Sequence, residues 1–438
     1  MNRRALIFLG VGSLTLAIAA GGCVTATSGQ PTPKAQLEGP APQLTALRTT
    51  NVPIPNSSPT LAMALALVSN TPTPIATGTP IPPPPSTPTP TLAAPTAPAS
   101  PAGQPKTQQT MRQLAAELGL SVGCEFTGWW FDDPRWRKIV GTEFDTAVVD
   151  WGIHWPEVEP KKGAFDFRIV DRQLALAEQY GMVVRGQPLV FAALNPDWLS
   201  NLSGVDLKDE LVAHIDTVVK HYRGRVGQWV VVNEPYAFPY RQKDIFYEKL
   251  GPQYIDLAFQ TARSADPTAI LIYNDDLNNS PKGVKPYGVM THLTREIVGR
   301  LKAKGLIDGV GLQMHLDGAN PPSKEDVVKT MRGYGIPVYV TEFDVNMKDV
   351  PGSHAERLAK QAAIYRGMLE AALESGVVKS FTFWGIGDKN SWLERMNIPG
   401  RSSPNAEPTL FDDDLQPKPA YFAIKSLLQE RLGASQVR

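Results

Sequence analysis

The sequence predicts an α/β protein whose ordered part is a (β/α)8 (TIM) barrel, and three observations predict it. Beyond position 107, eight apolar runs of strand length recur along the chain. Helical patterns separate them, so that strand and helix alternate over about 320 residues, the span such a barrel needs. No glycine-rich phosphate loop follows the first run, which argues against the alternative, a doubly wound sheet.

In order, the expected strands are 122–126, 146–151, 183–190, 229–233, 270–274, 310–315, 338–343 and 380–384. Each is rich in Val, Ile, Phe, Tyr, Trp or Thr, the residues that fit a pleated, buried surface. Runs such as Trp229-Val230-Val231-Val232 are apolar at every position, as parallel strands covered on both faces should be. The clearest helical patterns are 170–180, 208–222, 253–265 and 354–375, where apolar residues recur at three- and four-residue spacing.

The chain before the barrel reads differently. Met1-Asn2-Arg3-Arg4, an apolar stretch to Ala20 and then Gly21-Gly22-Cys23 describe a secretory signal over 1–23. The Ala-Gly-Gly-Cys ending resembles a bacterial lipoprotein cleavage site, which would make Cys23 a lipid-anchored first residue. An ordinary signal peptide and an uncleaved anchor are the alternatives. Much of the chain's 40 prolines falls in 24–106, for example in Thr71-Pro72-Thr73-Pro74 and Pro82 to Pro85. Such low-complexity sequence buries too little apolar surface to offset its chain entropy, so a disordered, extended Pro/Thr-rich linker is expected. The apolar run 61–68 within it is too short to span a bilayer. The catalytic barrel is then expected over 107–432.

Composition narrows the function. Lys and Arg number 43, Asp and Glu 43, for a formal net charge of +0. No electrostatic footprint for nucleic acid or an anionic membrane surface results, so contact with a membrane is expected only through Cys23. With two cysteines, one of them Cys23, no disulfide framework arises, and Cys124 reads as a lone buried thiol in a strand. A monomer is expected.

Chemistry in such a barrel gathers at the carboxyl ends of the strands. The fourth strand runs straight into Asn233-Glu234-Pro235, and the seventh into Thr341-Glu342-Phe343-Asp344. One glutamate at a strand end is unremarkable. Two, on strands four and seven, face each other across the mouth. Glycoside cleavage needs such a pair: one carboxylic acid protonates the departing oxygen while the other attacks the anomeric carbon. The acid needs a raised pKa and the nucleophile must stay ionised. Asn233 would reach the sugar 2-hydroxyl. Gln313 and His315, two apart, share one strand face. His315 with Asp344 would orient and tune the nucleophile. Trp384 and Trp392 are expected as exposed indoles that stack on sugar faces. No metal or redox cofactor is needed.

These motifs resemble glycoside hydrolase family 10, the endo-β-1,4-xylanase family. The resemblance spans roughly residues 108 to 430. It includes Glu159-Pro160-Lys161-Lys162-Gly163-Ala164-Phe165-Asp166-Phe167, Val231-Val232-Asn233-Glu234, Tyr273-Asn274-Asp275, Gln313-Met314-His315, Thr341-Glu342-Phe343-Asp344, Leu410-Phe411-Asp412 and Pro417-Lys418-Pro419-Ala420-Tyr421. It implies Glu234 as acid/base, Glu342 as nucleophile and a retaining mechanism on xylan. The departures fall together. Where the family has Glu-Asn and Lys-Trp after the second strand, this chain has Asp150-Trp151 and His154-Trp155. Where it has Gly-His and a Trp after the third, this chain has Gly186-Gln187 and Phe191. In the family these positions bind sugar on the non-reducing side of the cut. Trp151 is bulkier than Asn and would reshape the cleft, and His154 replaces a permanent charge with a titratable one.

The expected function is therefore a secreted or cell-surface retaining hydrolase of a polysaccharide with β-1,4 links, xylan first. A different glycoside specificity on the same scaffold, and a carbohydrate-binding surface protein without turnover, are the alternatives.

Overall fold

The computed structural model describes residues 109–126, 128, 130–235, 244–275, 289–395 and 405–435. The expected signal segment, Cys23, the expected Pro/Thr-rich linker and the run 61–68 lie outside the described residues.

Eight parallel strands close into a barrel: β1 Ser121–Glu125, β2 Thr146–Val149, β3 Val183–Gly186, β4 Gln228–Asn233, β5 Ile270–Asp275, β6 Gly309–Leu312, β7 Val338–Asn346 and β8 Val378–Phe383. Each pairs with the next, and β8 returns to β1 in the register Val122↔Phe381, Cys124↔Phe383. Closure leaves the barrel ladder without an edge. Cys124 is a free thiol with no exposed surface, buried in β1 as expected.

The four anticipated helices form over Arg168–Gln179, Gly204–His221, Tyr254–Ala265 and His354–Ser375. Local chemistry sets their ends. Ser353 and Glu356 make a reciprocal capping box at the start of the longest, and Gly376, at φ 70°, stops it. Ser203 caps Gly204–His221 by accepting from the Asp206 N–H. Every residue of β4 is buried, because helices cover the barrel outside and side chains fill it inside. Val230, Ile272 and Tyr339 form a small cluster of their own. Arg185 lies 5.6 Å from the Tyr339 ring and is fully buried, donating to Gln228, Ser380 and Thr382.

Three strands stop or break short of expectation, while the seventh runs on to Asn346, three residues beyond it. The second ends at Val149, two residues early. The third breaks into β3 and a short strand, Val190–Phe191, that pairs with β4; Pro188, between them, has no N–H to give the ladder. The sixth also breaks. β6 stops at Leu312, Met314 takes φ 60°, and a second short strand, His315–Asp317, pairs with β7. These breaks occur at the carboxyl ends, where the backbone leaves the ladder to aim side chains into the mouth.

Candidate active site

Glu234 is the first residue beyond β4. Its backbone sits at φ 48°, a left-handed conformation that costs a non-glycine residue free energy. Such strain persists where the surrounding structure holds it, and here the Glu234 N–H donates to the Asn274 carbonyl of β5 at 3.1 Å. Glu342 lies inside β7. Both are buried, with 7% and 6% of their surfaces exposed.

A row of amides joins them. Gln313 Nε2 donates to Glu234 Oε1 at 2.6 Å and to Asn233 Oδ1 at 3.3 Å. Asn274 Nδ2 donates to the same Asn233 oxygen at 2.8 Å and to Glu342 Oε1 at 2.7 Å. Asn274 is itself fixed, because its Oδ1 accepts from Thr341 Oγ1 at 2.7 Å. Gly311 leaves room for that amide: a Cβ there would stand 2.2 Å from Asn274 Oδ1. Gln187 Nε2 adds a second donor to Glu342 Oε1 at 2.5 Å, and His315 Nε2 lies 3.2 Å from Glu342 Oε2.

His315 is held from behind. Its Nδ1 is 2.9 Å from Asp344 Oδ1, close enough for an ion pair but off the line of a ring hydrogen bond. Burial alone would lower its pKa, but Asp344 and Glu342 outweigh that and push it well above the ordinary histidine value. A positively charged donor therefore faces Glu342. Asp344 Oδ2 in turn accepts from Trp392 Nε1 at 2.6 Å. The Trp392 and Trp384 rings lie 4.8 and 6.3 Å from His315.

The side of the mouth built by β1 and β2 is acidic. Asp150 follows β2, and burial first, then Glu342 and Glu157, raise its carboxyl to about 7 against the opposing pull of His154. His154 lies 3.4 Å from Asp150 and 3.3 Å from Glu157. Burial lowers its pKa, but these two carboxylates more than offset that and raise it. Trp151 packs on Gly128, where a Cβ would come within 2.6 Å of the indole. The Phe191 ring is 6.4 Å from that of His154. Glu125, the last residue of β1, faces the same recess, and burial, Asp150 and Glu342 drive its pKa well above the usual carboxylate value.

The sequence profile of Glycosyl hydrolase family 10 matches residues 110–427. The chain belongs to that family. It is 33% identical over 332 residues to endo-1,4-beta-xylanase B of Thermotoga neapolitana, covering 74% of this chain and 92% of that one. A beta-1,4-xylanase of Dictyoglomus thermophilum is 33% identical over 312 residues, covering 66% and 84%. Among solved structures, xylanase 10B of Thermotoga petrophila RKU-1 in complex with xylobiose is similar with a TM-score of 0.66 and 31% identity, over 74% of this chain and 98% of that one. As a family 10 protein the chain is a glycoside hydrolase.

Seen as a family 10 site, the fold brings together Glu234, Glu342, Asn233, Gln313, His315, Asp344, Trp384, Trp392 and Gln187. His154 stands on the β2 side of the mouth, tied to Asp150 rather than hydrogen-bonded to either glutamate. Trp384 corrects one expectation. It is 8% exposed, not an open platform, because it packs beside His315 and its backbone N–H donates to the Phe343 carbonyl. Gln313 and His315 reach different glutamates across the kink at Met314, so strict strand alternation is not what places them. Sequence reasoning quoted Asn274 only as part of a motif and missed Glu125. An Asn or Glu at the carboxyl end of a barrel strand was the signal available for both.

Proposed function

We propose that the chain is a retaining endo-1,4-β-xylanase in which Glu342 is the nucleophile and Glu234 the acid/base. The observation that supports it is the set of three donors on Glu342, from Gln187, Asn274 and His315. Hydrogen bonds to a carboxylate favour its ionised form, which an attacking oxygen must have. Glu342 attacks the anomeric carbon as Glu234 gives its proton to the leaving oxygen, forming a glycosyl ester. Glu234 then takes a proton from water, which displaces Glu342 and restores both groups. Asn233 uses its Oδ1 on Gln313 and Asn274, leaving its Nδ2 for the sugar 2-hydroxyl. The xylan reading is supported by the xylanases to which the chain is similar.

The test is release of reducing sugar from xylan with the product's anomeric configuration followed by NMR. A β product, abolished in Glu234→Ala and Glu342→Ala, is expected. An initial α product would sink the retaining assignment.

The glycone side of this pocket is reshaped in our reading, because Trp151 is wedged on Gly128 and His154 is clamped between two carboxylates. Xylo-oligosaccharide product patterns test it; a pattern unchanged by Trp151→Asn would count against it. Cell-surface attachment through Cys23 is proposed from the Ala20-Gly21-Gly22-Cys23 ending alone. Mass spectrometry of the mature N-terminus decides it, an unmodified Cys23 or cleavage elsewhere being the contrary result.

A further inference from the structure

We propose that Glu125 is a further specificity-determining residue: an unpaired carboxyl group at the end of β1 that accepts hydroxyl donors from the sugar over Glu342 and turns away chains bearing an acidic side group there. The inference rests on the xylanase reading above and deepens it.

Its position carries the argument. β1 is in register with β2 as Glu125↔Val148, so the side chain emerges at the catalytic mouth. Its Oε2 lies 3.9 Å from where a Cβ on Gly385 would stand, so it leans toward the exit of β8, next to Trp384. Among the described residues no hydrogen bond or ion pair engages the carboxyl group, although it is partly buried. The charged groups facing it are Asp150 from the β2 side, Glu342 and Asp344 from β7, and one cation, His315.

A second group points the same way. Gln187 is 2% exposed and spends its Nε2 on Glu342, while its Oε1 is buried without a partner. The Glu125 carboxyl group and that amide oxygen are acceptors at the mouth with no matching donors, while Asp150 beside them is shared with His154 at 3.4 Å. Buried acceptors left unmatched cost stability, so such a set suits a ligand that brings the donors. Sugar hydroxyls do. A glucuronic acid side group brings another acceptor and a negative charge, which Asp150, Glu342 and Glu125 together repel. Burial and the neighbouring carboxylates raise Glu125, so its charge grows as pH rises, and rejection of an acidic substrate should grow with it.

The experiment compares kcat/KM on neutral xylohexaose and on a xylo-oligosaccharide of equal backbone length with one glucuronic acid group, mapping each cut by mass spectrometry. Wild type, Glu125→Gln and Glu125→Ala are assayed at about pH 5.5 and 8, with melting curves to confirm folding. Wild type should prefer the neutral chain by about tenfold at the higher pH and less at the lower, the scale of one like-charge contact. In both variants the preference should shrink to about threefold or less, and its pH dependence should flatten. A preference unchanged in folded variants, or no preference in wild type, overturns the role of Glu125. A wild type that cuts neither substrate sinks the xylanase reading instead, and this inference with it.

Discussion

Asn274→Ala should disarm the site without touching either glutamate. Asn274 has no exposed surface; its amide donates to Glu342 at 2.7 Å and to Asn233 at 2.8 Å, and accepts from Thr341 at 2.7 Å. The hydrogen bond to a carboxylate contributes about 1.5–3 kcal/mol, and losing that much at the transition state lowers kcat/KM roughly 10- to 150-fold. Stability should fall by about 2–4 kcal/mol, because the Thr341 hydroxyl and one acceptor are orphaned in the interior. Asn274→Asp keeps the shape but removes the donor and sets a second carboxylate against Glu342, so kcat/KM should fall at least as far as in Asn274→Ala. The assay is steady-state hydrolysis of an aryl β-xylobioside from about pH 4 to 9, with denaturant titration alongside. A folded Asn274→Ala enzyme within about threefold of wild type would refute the claim that this amide holds the nucleophile.

Lys418→Met should cost about 3–5 kcal/mol in urea unfolding, since Lys418 pairs with Asp388 at 2.9 Å and both are buried; a loss under about 1 kcal/mol would argue against it. Asp344→Asn should flatten a pH dependence of stability. His315 is raised in the folded state, so its contribution is complete below the unfolded value of about 6.5 and is lost as pH climbs through the raised folded value. Melting curves from neutral to alkaline pH should therefore fall less steeply in the variant, and equal slopes would contradict the pairing. Gly128→Ala puts a Cβ 2.6 Å from the Trp151 ring, which must shift. Its expected signature is a several-fold change in KM for short xylo-oligosaccharides with a smaller change in kcat; unaltered kinetics would show that Trp151 does not border the substrate.

Much of this was legible in the sequence because it depends on local pattern. Continuous apolar strands, amphipathic helices and a glutamate directly after β4 and within β7 fix the barrel and put Glu234 and Glu342 at its mouth, since parallel strands must carry their carboxyl ends to one side. Which groups then touch is a matter of tertiary packing. Nothing in the spacing of Gln187, Asn274 and Glu342 says that two amides meet on one carboxylate oxygen; strands β3, β5 and β7 must close around the barrel for that. The breaks at Pro188 and Met314 redirect side chains in ways that a two-residue period does not foresee. Burial was equally hidden: Trp384 looked like an open platform until its neighbours covered it. Glu125 lay inside the expected first strand and drew no notice, and only the closing of β8 back onto β1 set its carboxyl group, unpaired, in the recess that Asp150 and Glu342 share.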